Sequence, residues 1–304
     1  MKSLIKAILK NLPFVGKIYR DYALLNENAC FPPGHFYSPI INVKEIKERA
    51  DIIWSERDSF QVLGVELNAE IQLSLVENLS AFYSEIPFKE EKSENLRYYF
   101  DNKYYGYTDA SVLYFMIRHL KPKRIVEVGS GFSSAVMMDT NELFFNSSIQ
   151  LTFIEPYPDR LKSLLKKDDN DVVNIIESKV QLVDLNIFKQ LEAGDVLFID
   201  SSHVSKTDSD LNHLLFEVLP ILKPGVMIHF HDIFFPFEYP KSWVLQGRNW
   251  NEIYLLRAFL MYNSSYKIEF YADFLHMHFA DCFANLPLLY KNTGSCLWIR
   301  KINS

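Results

Sequence analysis

Along this chain the apolar residues alternate between strand-like runs and helical spacing, and from about Arg124 onward the alternation is regular. Ile125, Val126 and Val128 form a near-continuous apolar run, the pattern of a parallel strand buried on both faces. Gln150 to Ile154 predicts a second strand, Val172 to Glu177 a third, and Asp195-Val-Leu-Phe-Ile-Asp200 a fourth. Between them, Ser133 to Met138 opens one helix and Leu185 to Leu191 predicts another, shorter one. Ser205 to Leu222 carries apolar residues at Leu211, Leu214, Leu215, Val218, Leu219 and Leu222, a helical stripe that Lys223-Pro-Gly225 stops. Val226-Met-Ile-His-Phe230 is then a fifth strand. Strand and helix in this order predict an α/β fold with an open, doubly wound sheet, whose ligands sit at the carboxyl ends of the strands.

The first hundred residues follow a different pattern. Met1 to Leu25 sets Lys2, Lys6, Lys10 and Lys17 among Leu4, Ile5, Ile8, Leu9, Leu12 and Val15, an amphipathic helix. Such a helix suits either an anionic membrane surface or packing on the domain or a second subunit, as in a homo-oligomer. Lysine breaks every apolar stretch, so neither a signal peptide nor a spanning helix is expected. Phe31-Pro-Pro-Gly-His-Phe-Tyr-Ser-Pro39 is a rigid aromatic turn, readable as a lid bringing His35 and Tyr37 to a site or as a linker. Ser55 to Lys92 reads as helices ending in a charged tail. The chain is thus expected to divide into a mainly helical N-terminal extension, residues 1–94, and a sheet domain, residues 95–304. Tyr104-Tyr-Gly-Tyr-Thr-Asp109, ahead of a helix from Ala110 to Leu120, and Trp250-Asn-Glu-Ile-Tyr254 are expected to wall the site.

Candidate chemistry gathers at the strand ends. In Glu127-Val-Gly-Ser-Gly131, two glycines let the backbone turn sharply and approach a ligand, and free N–H groups of the following helix face the same way. Ser134 stands where a dinucleotide fingerprint has its third glycine. Glu155 ends the second strand, where a ribose offers two hydroxyls, and Asp200 and Asp232 end the fourth and fifth. Two histidines, His203 and His231, lie beside these acids, and His229 is expected to point into the sheet or its flanking helices.

In combination, Val-Glu-Val-Gly-Ser-Gly131, the acid after strand two, the Ile-Asp of strand four and Leu-Lys-Pro-Gly225 resemble the class I S-adenosylmethionine-dependent methyltransferases. Phe-Ile-Asp-Ser-Ser-His203 and His-Phe-His-Asp232 resemble bacterial small-molecule and sugar O-methyltransferase-like proteins, often encoded among polysaccharide genes. The resemblance spans roughly Tyr107 to Lys301. It implies a Rossmann-like, seven-stranded mixed sheet, with Lys267 to Tyr271 and Cys296 to Arg300 as the last two strands. It also implies S-adenosylmethionine as cofactor, with Gly129, Ser130 and Gly131 beneath its methionine portion, and Phe132 and Ser133 opening the helix there. Glu127 faces its cationic amino-acid end, Glu155 accepts the ribose hydroxyls, Gln181 lies near the adenine, and Asp200 borders the same edge. A hydroxyl acceptor needs its proton removed, for which His203, His231 and Asp232 are the catalytic candidates, or Asp200 and Asp232 sharing Mg²⁺ or another divalent cation.

Composition fits a folded enzyme of 304 residues, 48% hydrophobic and 15% aromatic. A net charge of −6 without a basic stripe argues against nucleic acid as partner and leaves a small-molecule acceptor, such as a sugar. Cys30, Cys282 and Cys296 offer no zinc spacing and suit a reducing cytoplasm, with membrane association as the alternative the first helix raises. Two other functions remain open at this point: a nicotinamide-dependent oxidoreductase, and a non-catalytic scaffold of a polysaccharide assembly.

Overall fold

A computed structural model describes residues 13–55, 59–169 and 172–303. They fall into two compact units: residues 13–55 with Pro240–Asn249, and residues 59–239 with Trp250 to residue 303. The larger unit is built on one seven-stranded sheet, β1 (Arg124–Val128), β2 (Gln150–Ile154), β3 (Asn174–Ile176), β4 (Val196–Ile199), β5 (Met227–Phe230), β6 (Tyr266–Tyr271) and β7 (Leu297–Lys301). Their spatial order is β3-β2-β1-β4-β5-β7-β6. β1 to β5 pair in parallel, and β7 runs antiparallel to both β5 and β6. The order reverses between β1 and β4, so the crevice at their carboxyl ends is the switch point where such sheets hold ligands.

The central strands match their sequence pattern because both faces are covered: every residue of β4 and β5 is buried. His229 lies within that core, its ring 3.8 Å from Phe198 and 4.7 Å from Trp298, with both ring nitrogens lacking a hydrogen-bond partner. Burial holds it well below the ordinary imidazole range, so it packs as a neutral aromatic ring. The stripe expected from Ser205 to Leu222 becomes helical only at Asp210, where the Ser209 hydroxyl accepts from Asn212 N–H as an N-cap. It passes through a π-helical turn, Leu214–Val218, and ends at Ile221.

The chain does not divide at Glu94. The helix Ala69–Ser80 packs against β6 and against the helix Tyr107–Leu120 of the sheet unit. The fully buried Gln72 amide explains why: it donates to Leu67 O at 2.6 Å and accepts Tyr271 N–H at 2.7 Å, at the end of β6. The smaller unit holds the helix Pro13–Asn28 and the helix Val43–Glu48, which Asn42 caps. Within it Ile41 N–H donates to Asn249 Oδ1 at 3.0 Å, Phe31 and Phe36 stack on His35, and Tyr37 is tilted against Phe36. Of the expected amphipathic helix, residues 1–12 lie outside the described residues, and no described helix is long and apolar enough to cross a membrane.

Candidate active site

Gly129 opens the loop after β1 with φ +86°, and a Cβ there would meet Asp200 O at 1.7 Å. Only glycine allows the tips of β1 and β4 to touch in this way. Below the loop, Glu127 is fully buried and accepts from Ser133 Oγ at 2.5 Å and from Ser134 Oγ, which in turn accepts Gly131 N–H at 3.0 Å. Serine at the place of the third glycine is therefore a strut between loop, helix and acid. Burial pushes the Glu127 carboxyl up to about 8 against the two serine hydrogen bonds.

Glu155 stands one strand over, at the tip of β2. Its oxygens accept Ser130 N–H at 3.1 Å and Tyr157 N–H at 2.8 Å, which fixes the carboxylate beside the loop. Two cavities meet here and share Gly129, Glu155, Asp200, Ser201 and Ser202. One, of about 460 Å³, includes Lys179, Gln181 and Asp208 in its wall, with the Gln181 amide donating to Asp208 O at 2.6 Å. The other, of about 490 Å³, extends over Gly131, Phe132 and Ser133 to His203, His231, Asp232 and Trp250. Ser201 Oγ is buried between them without a partner. Of the sequence candidates, Glu127 alone lies beneath both cavities.

The second cavity ends in a chain of titratable groups. His203, held at φ +59°, directs Nδ1 to Glu252 Oε2 at 2.7 Å, while Nε2 lies 3.3 Å from Asp200 Oδ1 and 3.8 Å from Asp232 Oδ2. Its ring packs on Trp250, centroids 4.4 Å apart. Burial alone would lower its proton affinity, yet Asp200 and Glu252 outweigh that and hold the imidazole well above its ordinary range. Asp200 is held below the usual carboxylate range: burial opposes this, and His231, His203 and Arg160 prevail. His231 is raised too, its burial outweighed by Asp232, Asp200 and Asp109. It sits against the Tyr105 ring at 5.2 Å, its Nε2 3.7 Å from Asp232 Oδ1 and its Nδ1 without a partner. Ser295 Oγ donates to Asp232 Oδ1 at 3.0 Å.

Asp200 and Asp232 end adjacent paired strands, as expected for a shared cation. Their donor set does not fit one. His203 Nε2 lies between the two carboxylates, and among the described residues no group of three or more His, Cys, Asp or Glu side chains is placed to hold a metal ion. Sequence reasoning also missed two residues. Glu252 is hidden inside the segment taken only as a wall, and Arg160 lies five positions after Glu155, with its guanidinium carbon 4.0 Å over the Tyr104 ring. The first carries no motif, and its meaning comes only from the fold bringing it under His203.

A family model described as a methyltransferase domain matches residues 126–233. The chain is 40% identical over 185 residues to an uncharacterized protein of Archaeoglobus fulgidus, covering 59% of this chain and 83% of that one. Among solved structures it is similar to the O-methyltransferase TomG from Streptomyces achromogenes, involved in tomaymycin synthesis and solved with SAM. That pair shares 13% identity and a TM-score of 0.45, over 79% of this chain and all of the other. It is likewise similar to the SAH-bound methyltransferase PaMTH1 of Podospora anserina, at 18% identity and TM-score 0.42, over 84% and 97% of the two chains. The matched stretch runs from within β1 past the end of β5 and takes in the glycine loop and the acids Glu155, Asp200 and Asp232, so over these residues the chain carries a methyltransferase domain.

Proposed function

We propose that this chain methylates a hydroxyl oxygen of a sugar or another small hydroxylated metabolite, with His203 as the base. The observation that carries the reading is the Glu252–His203 pair at 2.7 Å, whose other nitrogen, beside Asp200 and Asp232, borders the cavity that the glycine loop and Glu155 also line. Two adjoining cavities, a glycine turn with no room for a Cβ, a fixed carboxylate and the unpartnered Ser201 hydroxyl fit S-adenosylmethionine. When bound, it supplies an electrophilic methyl: the oxygen–carbon bond forms as the sulfur–carbon bond breaks, leaving the thioether. Gly129 to Gly131 let the ligand approach the backbone, Glu155 takes the ribose hydroxyls, and Gln181 and Lys179 border the adenine end. Asp200 and Asp232 supply carboxylates beside this part of the cavity, which favour a sulfonium.

In its neutral form, reached only above the raised range in which Asp200 and Glu252 hold its proton, His203 takes the acceptor's proton on Nε2, so activity rises with pH. Glu252 holds Nδ1–H, fixing the tautomer and stabilising the imidazolium that forms, while Asp200 and Asp232 spread the added charge. Trp250 and Tyr105 give the acceptor flat apolar walls of the kind a sugar ring packs on. No step passes through a metal. The nicotinamide reading is not favoured, because Ser134 fills the third glycine's place and its hydroxyl supports a buried acid. Transfer of labelled methyl from S-adenosylmethionine to a panel of sugars and phenols tests the proposal. Activity on at least one free hydroxyl is expected, unchanged by chelator and reduced about 100-fold or more by His203→Ala. Activity that chelation abolishes, or that survives His203→Ala, overturns the mechanism.

A further inference from the structure

Arg160 is the one arginine in the wall of the 490 Å³ cavity, and among the described residues its guanidinium has no carboxylate within ion-pair distance. It is nevertheless held in place. Its Cζ lies 4.0 Å over the Tyr104 ring, Tyr104 stacks on Phe132 at 5.7 Å and 18°, and the Asn102 side chain anchors Tyr104 N–H at 3.0 Å. The stem passes directly above the glycine loop: a Cβ on Gly131 would come within 3.2 Å of Arg160 Cδ. A guanidinium held over an aromatic face still carries N–H donors in the fork geometry that matches a carboxylate.

The surroundings say what it meets. Glu155, Asp200 and Asp232 line the same cavity, and Arg160 is close enough to help hold Asp200 ionised. A ligand spanning this wall needs an anionic group at Arg160 and cationic or hydroxyl groups elsewhere. We infer that Arg160, positioned by Tyr104, receives the α-carboxylate of the cofactor's amino-acid end. This rests on the proposed reading of the cavity as the S-adenosylmethionine site. The other source of a carboxylate is an acidic acceptor; the contact of the Arg160 stem with Gly131 of the glycine loop favours the cofactor.

Calorimetric titration of the full chain with S-adenosylhomocysteine and with its decarboxylated thioether, no acceptor present, tests the inference. Arg160→Gln is expected to weaken S-adenosylhomocysteine roughly 10- to 100-fold and to leave the decarboxylated ligand unchanged, which also reports that the variant is folded. Tyr104→Ala is expected to give a smaller loss of the same selectivity. Equal loss of both ligands, or no loss of either, overturns the assignment, and unaltered S-adenosylhomocysteine binding excludes the cofactor as the source of the carboxylate. Wild-type protein that binds neither ligand instead removes the reading on which the inference rests.

Discussion

Glu127 sits at the centre of the loop's architecture without lining either cavity. Its carboxyl is held up to about 8 by burial, whereas an unfolded chain releases that proton near the ordinary glutamate value of about 4.3. Across the window between those values the native state carries a proton that the unfolded state lacks, so this residue's contribution to stability falls as pH rises. Glu127→Gln mimics the neutral form, and both serine hydroxyls can bond an amide. Its stability relative to wild type, measured by urea unfolding, is expected to rise between pH 5 and pH 8, by up to roughly 1.4 kcal/mol per pH unit. A pH-independent difference contradicts the buried neutral acid. The sequence showed that an acid precedes the glycines, but not that Ser133 and Ser134 close over it, because a run of two serines carries no direction until the helix Phe132–Phe145 fixes one.

At the scale of elements, the site depends on how segments without a repeating pattern are tied to the sheet. Arg97 is buried and donates to Asp139 and Glu142 on the helix Phe132–Phe145, each at 2.7 Å, and to Asp169 beyond β2. Tyr98 N–H adds a bond to Asp139 Oδ2 at 2.8 Å, and Tyr98 Oη donates to Tyr105 O at 2.8 Å, so the anchor continues into the cavity wall. Arg97→Ala leaves Asp139 buried without its counter-charge. It is expected to cost about 3–5 kcal/mol in denaturant unfolding, and a loss under about 1 kcal/mol contradicts this view of the anchor. The five parallel strands were legible because burial on both faces leaves unbroken apolar runs, and only their ends shifted by a residue or two. The boundary near Glu94 was misplaced for the opposite reason: Gln72, a polar residue, makes the tie to β6, and no hydropathy pattern marks a buried amide.

Across the whole molecule, the strand order brings four acids from separate stretches of chain to one edge, with three of them facing the cavities and one beneath. Glu155, Asp200 and Asp232 were identifiable because they follow strands directly. Glu252 and Arg160 were not, since only the fold places one under His203 and the other over the glycine loop. The expected shared cation rested on the resemblance and on strand adjacency, and neither anticipates an imidazole nitrogen between the carboxylates. Binding is the property on which every proposed role depends, and it can be measured without knowing the acceptor. Calorimetric titration of the full chain with S-adenosylhomocysteine and with nicotinamide dinucleotides, beside Glu155→Ala, therefore comes first. Binding of S-adenosylhomocysteine alone, weakened at least about 10-fold in the variant, is the predicted result; folded protein that ignores this ligand, or binds it equally well without Glu155, contradicts the assigned cofactor site.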